Sequence, residues 1–145
     1  MQNFDRYFLH EKKVFLDNIS YETVKTESIP AQPKLGCKDT IVAQLQKNGI
    51  KINFNRTLRF EPEGLFNLSV TFGVMLIFDP TTKDEIDWKS LDIAGEFRKS
   101  CPQLMSVLMS RASLLISQIT SSAGQLPLVT PGAPINVQPP VGGAQ

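Results

Sequence analysis

The chain is predicted to adopt an α+β fold, in which one long helix, preceded by a short helical piece, packs on one face of a four-stranded antiparallel sheet. Two consecutive segments alternate apolar and polar residues strictly enough to predict a hairpin. A long helical pattern begins near Cys101. Strands that all precede the helices are typical of an antiparallel sheet with its helices on one face.

The third and fourth predicted strands form this hairpin. One face of the third strand is apolar except at Arg56, and its apolar positions are Ile50, Ile52, Phe54, Leu58 and Phe60. The apolar face of the fourth strand is uninterrupted and comprises Phe66, Leu68, Val70, Phe72, Val74, Leu76 and Phe78. Pro62 and Gly64 lie between the two segments and predict a turn. The hairpin is therefore expected to have one strongly apolar side.

The first two strands have less regular patterns. Residues 14–22 (VFLDNISYE) are rich in β-branched and aromatic residues and predict a strand. Residues 39–46 (DTIVAQLQ) alternate and predict a second strand, with a short helix as the alternative. The polar residues 23–38 between them are expected to form a loop. Asn48-Gly49 predicts a tight turn into the third strand.

Two helical segments follow the strands. Ser90 is predicted to cap a short helical piece that includes Leu91, Ile93, Ala94 and Phe97. Pro102 would disrupt a helix interior, so it is expected to start the main helix or to kink it. Gly124 is expected to end that helix.

The residues after the main helix are rich in proline and glycine, which disfavour regular structure. We therefore predict a single domain over residues 1–136 and a disordered tail over residues 137–145. A chain of 145 residues is long enough to bury a sizeable core without a disulfide or a metal ion.

The main helix is apolar around most of its circumference. At 100° per residue, its apolar arc covers roughly 220° once Val107 and Leu114 are included. A helix of this kind cannot cover a sheet and also face water, so we predict that its second side is covered in an oligomer. The predicted interface residues are Leu104, Met105, Leu108, Met109, Ala112, Leu115, Ile116 and Ile119. Arg111 lies within this arc and is expected to have a structural role, with a polar partner or an outlet to water.

Composition and motifs exclude several classes of function. A formal net charge of +1 lacks the basic excess of a nucleic-acid-binding protein. No apolar run is long enough to span a bilayer, and no secretory signal is evident. Cys37 and Cys101 are far apart and are predicted to be free thiols, as expected in a reducing cytosol.

Catalytic chemistry is not indicated. His10 is the only histidine, so the sequence offers neither a convincing catalytic base nor a metal site. The glycine-rich phosphate-binding motifs GxGxxG and GxxxxGK[ST] do not occur. We therefore expect a binding protein that has no cofactor and no metal and is not an enzyme.

Three short segments, in order, resemble the SecB protein-export chaperone superfamily. VFLDNISYE at residues 14–22 is similar to the first strand of that family, and Cys101-Pro102 is similar to the Cys-Pro in its first long helix. Gly124, Leu126-Pro127 and the segment from Ala133 to Asn136 are similar to the Gly, Phe-Pro and Ala-Pro-Val-Asn that follow that helix. Together these segments frame almost the whole chain.

The resemblance implies a SecB-like sheet with its helices on one face, assembled as a dimer or a dimer of dimers. It also implies an ATP-independent holdase in the bacterial cytosol, whose partners are unfolded client polypeptides bound in apolar grooves. The candidate groove residues in this chain are Phe78, Ile86, Trp88 and Phe97, followed by Leu126, Leu128 and Val129. Each of them is also a suitable core residue, and that alternative stays open.

The chain departs from the family pattern where partners would dock. In SecB, acidic residues on the outer face of the sheet help to dock the export motor SecA. Here Asn18 and Ser69 occupy two such positions, although Glu22 is acidic. The second helix of the family is replaced by VQPPVGGAQ. These differences argue against SecA as a partner and indicate a divergent member that serves protein export or a dedicated client such as an antitoxin. A small oligomeric adaptor that binds one folded partner is the alternative.

Overall fold

The computed structural model of the chain describes residues 3–23, 34–61, 66–123 and 130. Four strands and two helices form one α+β unit. They are β1 (Lys13–Thr23), β2 (Lys34–Leu45), β3 (Gly49–Glu61), β4 (Phe66–Ile77), α1 (Ile93–Ser100) and α2 (Pro102–Ser122). Three short 3-10 helices lie at Phe4–Tyr7, Lys83–Glu85 and Trp88–Ser90.

The strands form one antiparallel sheet in the order β1-β4-β3-β2, so β1 and β2 are its edges. β1 pairs with β4 along its whole length, with one irregularity between Leu16 and Asn18 that leaves Asp17 without a partner in the register. α2 packs mainly on β4 and β3. The predicted fold class is confirmed.

The alternation in β3 and β4 builds the core. The inward side chains of β4 are all buried, and in β3 Ile50, Ile52, Phe54 and Leu58 have no exposed surface. Arg56 interrupts this row, as the sequence indicates, and it too is completely buried. Burying a row of large apolar side chains supplies the main driving force for folding, at about 1.5 to 3 kcal/mol for each side chain.

The turn between β2 and β3 requires its glycine. Gln46 N–H donates to the carbonyl oxygen of Gly49 at 2.8 Å, which closes the predicted Asn48-Gly49 turn. A Cβ atom at position 49 would lie 2.0 Å from the carbonyl oxygen of Leu76 on β4. The backbones of β3 and β4 approach too closely at this point for any side chain.

β2 is longer than predicted. The sequence pattern predicts the second strand at residues 39–46 and places residues 34–38 in a loop. In the structure β2 begins at Lys34. Leu35, Gly36 and Cys37 pair with Phe60, Arg59 and Leu58. Because β3 is 13 residues long, it offers backbone partners to five more residues than the local pattern indicates. Tertiary pairing overrides the weak strand propensity of this segment.

The predicted N-cap of the short helix is wrong. α1 begins at Ile93, and the side chain of Asp92 accepts a hydrogen bond from Gly95 N–H at 3.2 Å. Ser90 instead ends a 3-10 turn, where its hydroxyl donates to Asp87 Oδ2 at 2.8 Å. An aspartate immediately before the helix satisfies the free N–H groups of the first turn directly, so the more distant serine is not needed.

α2 starts at Pro102, which occupies its first turn as one of the two predicted alternatives. Its buried side chains lie along one stripe and comprise Met105, Leu108, Met109, Ala112, Ile116 and Thr120. Arg111 is exposed, so water supplies its polar environment. The predicted stop at Gly124 and the predicted tail lie outside the described residues.

Candidate binding surfaces

An aromatic cluster closes the end of the sheet where β4 leaves it. Phe4, Tyr7 and Phe8 come from the N-terminal segment, Phe78 from the end of β4, and Trp88 from the crossover to α1. The Phe8 and Phe78 rings stack at 5.6 Å, and Trp88 lies 5.2 Å from Phe78 and 5.5 Å from Tyr7. Trp88 Nε1 donates to the carbonyl oxygen of Lys83 at 2.9 Å. These ring contacts therefore hold the N-terminal segment against the crossover between β4 and α1.

The structure brings two of the predicted groove residues, Phe78 and Trp88, together in this aromatic cluster. Both are buried, whereas Ile86, two residues before Trp88, is half-buried against the core. Phe97 is in α1 and has no exposed surface. Leu126, Leu128 and Val129 lie outside the described residues. Phe97 therefore reaches a client only if the helices above the sheet move, and the assignment of all seven stays a prediction.

Sequence reasoning missed the N-terminal half of the cluster. Phe4, Tyr7 and Phe8 are spaced three and four residues apart, which places them on one side of a single helical turn. This spacing is the feature of the sequence that indicates an aromatic cluster. A single turn is too short to produce a periodic pattern, so the pattern alone does not reveal it.

The predicted interface residues of α2 divide between two environments. Met105, Leu108, Met109, Ala112 and Ile116 are buried in the monomer core, whereas Leu104, Leu115 and Ile119 are only partly buried. Val107 is 38% exposed and Leu114 is 61% exposed. The free apolar surface of α2 is therefore one flank, formed by Leu104, Leu115 and Ile119, and an exposed ridge, formed by Val107 and Leu114.

The free flank of α2 lies opposite the flank that contacts Thr130. Ser113 hydrogen-bonds with Thr130, which in turn contacts Arg56 on β3. Arg56 pairs with Asp39 on β2, so the helical wheel directs Leu104, Leu115 and Ile119 away from β2 and toward the β1 side. On β1, Leu16 and Ile19 share a face with the core residues Phe72 and Val70 yet are 47% and 41% exposed. We call these five apolar side chains together the β1 groove.

A second depression separates the two helices. An open cleft of about 520 Å³ between α1 and α2 is lined by Gly95, Arg98, Lys99, Pro102, Met105 and Met109. Methionine side chains adapt to irregular partners because they are unbranched and polarizable. The cleft is thus apolar at its base with two cations at its margin.

The outer face of the sheet is polar. Asn55 Nδ2 donates to Ser69 Oγ and to Thr71 Oγ1, each at 2.8 Å, and Thr57 Oγ1 donates to Asn55 Oδ1 at 2.7 Å. By register the three predicted docking residues share this face, because Asn18 pairs with Thr71, Glu22 with Asn67, and Ser20 with Ser69. Asn18 and Glu22 are exposed, while Ser69 is half-buried in the ladder. Docking at these residues stays a prediction.

A buried polar network ties the sheet to the chain beyond α2. Asp39 accepts hydrogen bonds from Arg56 Nε and Nη2, both at 2.8 Å, and neither side chain is exposed. Arg56 Nη1 donates to Thr130 Oγ1 at 3.0 Å, and Thr130 Oγ1 lies 3.0 Å from Ser113 Oγ. The bidentate pair neutralises a charge that would otherwise be very unfavourable in the core.

The two cysteines are free thiols of low reactivity. Burial, together with the carboxylate of Asp5 3.9 Å away, raises the pKa of the Cys101 thiol to about 11. Burial also raises the pKa of Cys37, against the opposing effect of the Arg56 guanidinium. Both thiols are therefore protonated at neutral pH and are poor nucleophiles.

The similarity of this chain to known proteins is found in its structure. No protein-family model matches the chain, and no curated protein matches it in sequence. Among solved structures, it is similar to the SecB-like chaperone Rv1957 of Mycobacterium tuberculosis, in complex with a ChAD peptide from the Rv1956 HigA1 antitoxin. The TM-score is 0.59, and the match covers 82% of this chain and 86% of that chain at 8% sequence identity.

The chain has a SecB-like fold. The resemblance that the sequence indicates through VFLDNISYE and Cys101-Pro102 is confirmed at the level of the fold. At 8% identity the SecB-like architecture is shared while most side chains differ. No helix among the described residues of this SecB-like fold has the length and apolar character needed to cross a membrane.

Proposed function

We propose that this protein is an ATP-independent holdase that binds unfolded or extended polypeptides in the bacterial cytosol. The observation that carries the proposal is free apolar surface on a SecB-like fold, at the ridge of α2 formed by Val107 and Leu114. The similar Mycobacterium tuberculosis chaperone is in complex with a peptide from an antitoxin, which supports a polypeptide as the ligand. Protein export or a dedicated client such as an antitoxin is the corresponding cellular role.

The energetics suit a binder of extended chains. Covering roughly 600 Å² of client apolar area contributes about 15 kcal/mol before the ordering of the client is subtracted. That ordering costs about 0.5 to 1.5 kcal/mol for each immobilised flexible side chain, so the net affinity is moderate and depends little on sequence. Candidate contacts are the ridge of α2, the cleft with Met105 and Met109, and Ile86 at the crossover.

The wild-type protein is expected to suppress aggregation of a chemically unfolded client at several-fold molar excess, as followed by light scattering. Leu114→Glu should weaken that suppression severalfold, because it places a charge at the most exposed large apolar side chain of the ridge. Val42→Glu is the matched control, since Val42 is 41% exposed on the outer face of the sheet. Absence of suppression by the wild-type protein would reject the holdase proposal.

We further propose that the protein is a homo-oligomer, a dimer or a dimer of dimers, in which a second copy covers the β1 groove. Within the described part of the chain β1 is an edge strand of the sheet, and such edges favour pairing with another strand. The partly exposed members of the predicted interface, Leu104, Leu115 and Ile119, lie beside this edge. The other five predicted interface residues are buried in the monomer core, where they hold α2 in place for this contact.

Sedimentation velocity at micromolar concentration is expected to show a dimer or a tetramer. Ile19→Glu should raise the dissociation constant of the oligomer at least tenfold and so favour the monomer, because it places a charge where the second copy would bury it. Val42→Glu, at the same 41% exposure but on the outer face, should leave the assembly intact. A monomeric wild-type protein at these concentrations would contradict the proposal.

A small adaptor that binds one folded partner is the second candidate. The polar outer face of the sheet favours it, because an ordered hydrogen-bond ladder suits a folded, polar surface better than an unfolded chain. Competition with unrelated unfolded peptides separates the two functions, since only a holdase is displaced broadly. In either case the protein acts by binding and needs no cofactor.

A further inference from the structure

Three exposed cations meet at one corner of the outer face of the sheet. Lys34 and Lys38 project outward from β2 on either side of Gly36, and Arg59 projects outward from β3, where it pairs with Gly36. All three side chains are exposed. Gly36 contributes no side chain, so the space between the cations is open. We call these three residues the basic corner.

No ion pair among the described side chains involves the basic corner. Among the described side chains, ion pairs join Arg6 to Glu85, Lys12 to Asp5, Lys51 to Asp17, and Arg56 to Asp39. The nearest carboxylate on β2, Asp39, is turned into the core and bound to Arg56. By register Glu61 pairs with Lys34, and Glu22 lies on the same outer face on β1, two strands away from β3. The three cations outnumber these two acidic positions.

The sheet holds the backbone of the basic corner at a fixed spacing, because β2 and β3 pair without interruption over twelve register positions. Arg59 is a diagonal neighbour of both lysines, and such neighbours in a sheet are about 7 to 8 Å apart, within reach of long side chains. Like charges at this spacing repel each other. Binding of an anionic partner relieves this repulsion.

From the three exposed cations on adjacent strands, we propose that the basic corner docks an acidic segment of a partner protein, at a site separate from the apolar surfaces of the proposed holdase. Lys34 and Lys38 are four residues apart on one strand, which separates them by about 13 Å at about 3.3 Å per residue. A segment with two or three carboxylates spread over this distance matches them, and the guanidinium of Arg59 binds one carboxylate through two hydrogen bonds. Nucleic acid is a poorer match, because its binding depends largely on neutralising phosphates, and three cations neutralise few of them.

The test measures binding of a fluorescein-labelled twelve-residue peptide of alternating Glu and Ser by fluorescence anisotropy. The variant Lys34→Glu/Lys38→Glu/Arg59→Glu is expected to bind at least tenfold more weakly than wild type. Lys13→Glu/Lys47→Glu/Lys89→Glu is the matched control, since it changes the net charge equally at exposed sites away from the corner. The control should stay within about twofold of wild type.

Three outcomes would overturn the proposal. These are an equal loss of affinity in the control variant, unchanged affinity in the corner variant, and tighter binding of a labelled twelve-nucleotide oligothymidylate than of the peptide. The charge-neutral variant Lys34→Gln/Lys38→Gln/Arg59→Gln, with its thermal melting compared with wild type, separates loss of docking from loss of folding. Suppression of client aggregation should be unchanged in both corner variants, so the docking and holdase proposals fail separately.

Discussion

Replacing Asp39 with alanine is expected to destabilise the fold by about 3 to 5 kcal/mol, because it removes the buried carboxylate that pairs with the completely buried guanidinium of Arg56. Arg56 Nε and Nη2 would each lose a hydrogen bond of 2.8 Å. Urea unfolding followed by circular dichroism at fixed protein concentration measures this loss. It is a large fraction of the total stability of a domain of this size.

A matched ion pair on the surface supplies the control for Asp39. Asp17 binds Lys51 at 3.0 Å, but both side chains are partly exposed. Asp17→Ala should therefore cost no more than about 1 kcal/mol. The double variant Asp39→Leu/Arg56→Met removes both buried charges and should be more stable than Asp39→Ala alone. Equal losses of stability for Asp39→Ala and Asp17→Ala would show that the buried ion pair contributes no more to stability than the surface pair.

Replacing Phe97 with alanine is the second large change, with an expected loss of about 3 to 5 kcal/mol. Phe97 has no exposed surface, so its removal leaves a cavity between α1 and the sheet core that the neighbouring side chains only partly fill. Chemical denaturation measures the loss. Suppression of client aggregation, measured on the fraction that remains folded, should be unchanged.

The exposed ridge of α2 offers the comparison for Phe97. Leu114→Ala removes an apolar side chain that is 61% exposed, so it should change stability by no more than about 0.5 kcal/mol. If Phe97→Ala instead retained its stability and lost the suppression of client aggregation, Phe97 would be a client contact and not part of the core.

Much of the fold is readable from local pattern. β3 and β4 alternate strictly, and a strand with one buried face must alternate with period two, so their apolar rows and the interruption at Arg56 were predicted correctly. Pro102 predicted either the start of α2 or a kink in it, because a proline disrupts a helix interior, and the structure places it in the first turn. Residues 34–38 and the cap at Asp92 were missed, because pairing with β3 and competition between two nearby caps depend on neighbours in space.

The binding surfaces were harder to predict, and α2 shows why. Its composition predicts a helix with too much apolar surface for one partner, and Leu108 and Leu114 contribute to that surface alike. Packing on β4 and β3 buries Leu108 completely and leaves Leu114 exposed. A helical wheel gives the angle between two side chains but not the direction in which the sheet lies.

The amino-acid pattern thus established the α+β class, the antiparallel hairpin and the excess apolar surface of α2, since each depends on spacing along the chain. The assembly of the N-terminal aromatics with Trp88, the pairing of Asp39 with Arg56, and the basic corner bring together residues that are distant in sequence or lie on different strands. These contacts depend on register and strand order, which no single segment encodes. The free surfaces on which the proposed functions rest are what remains after that packing is complete.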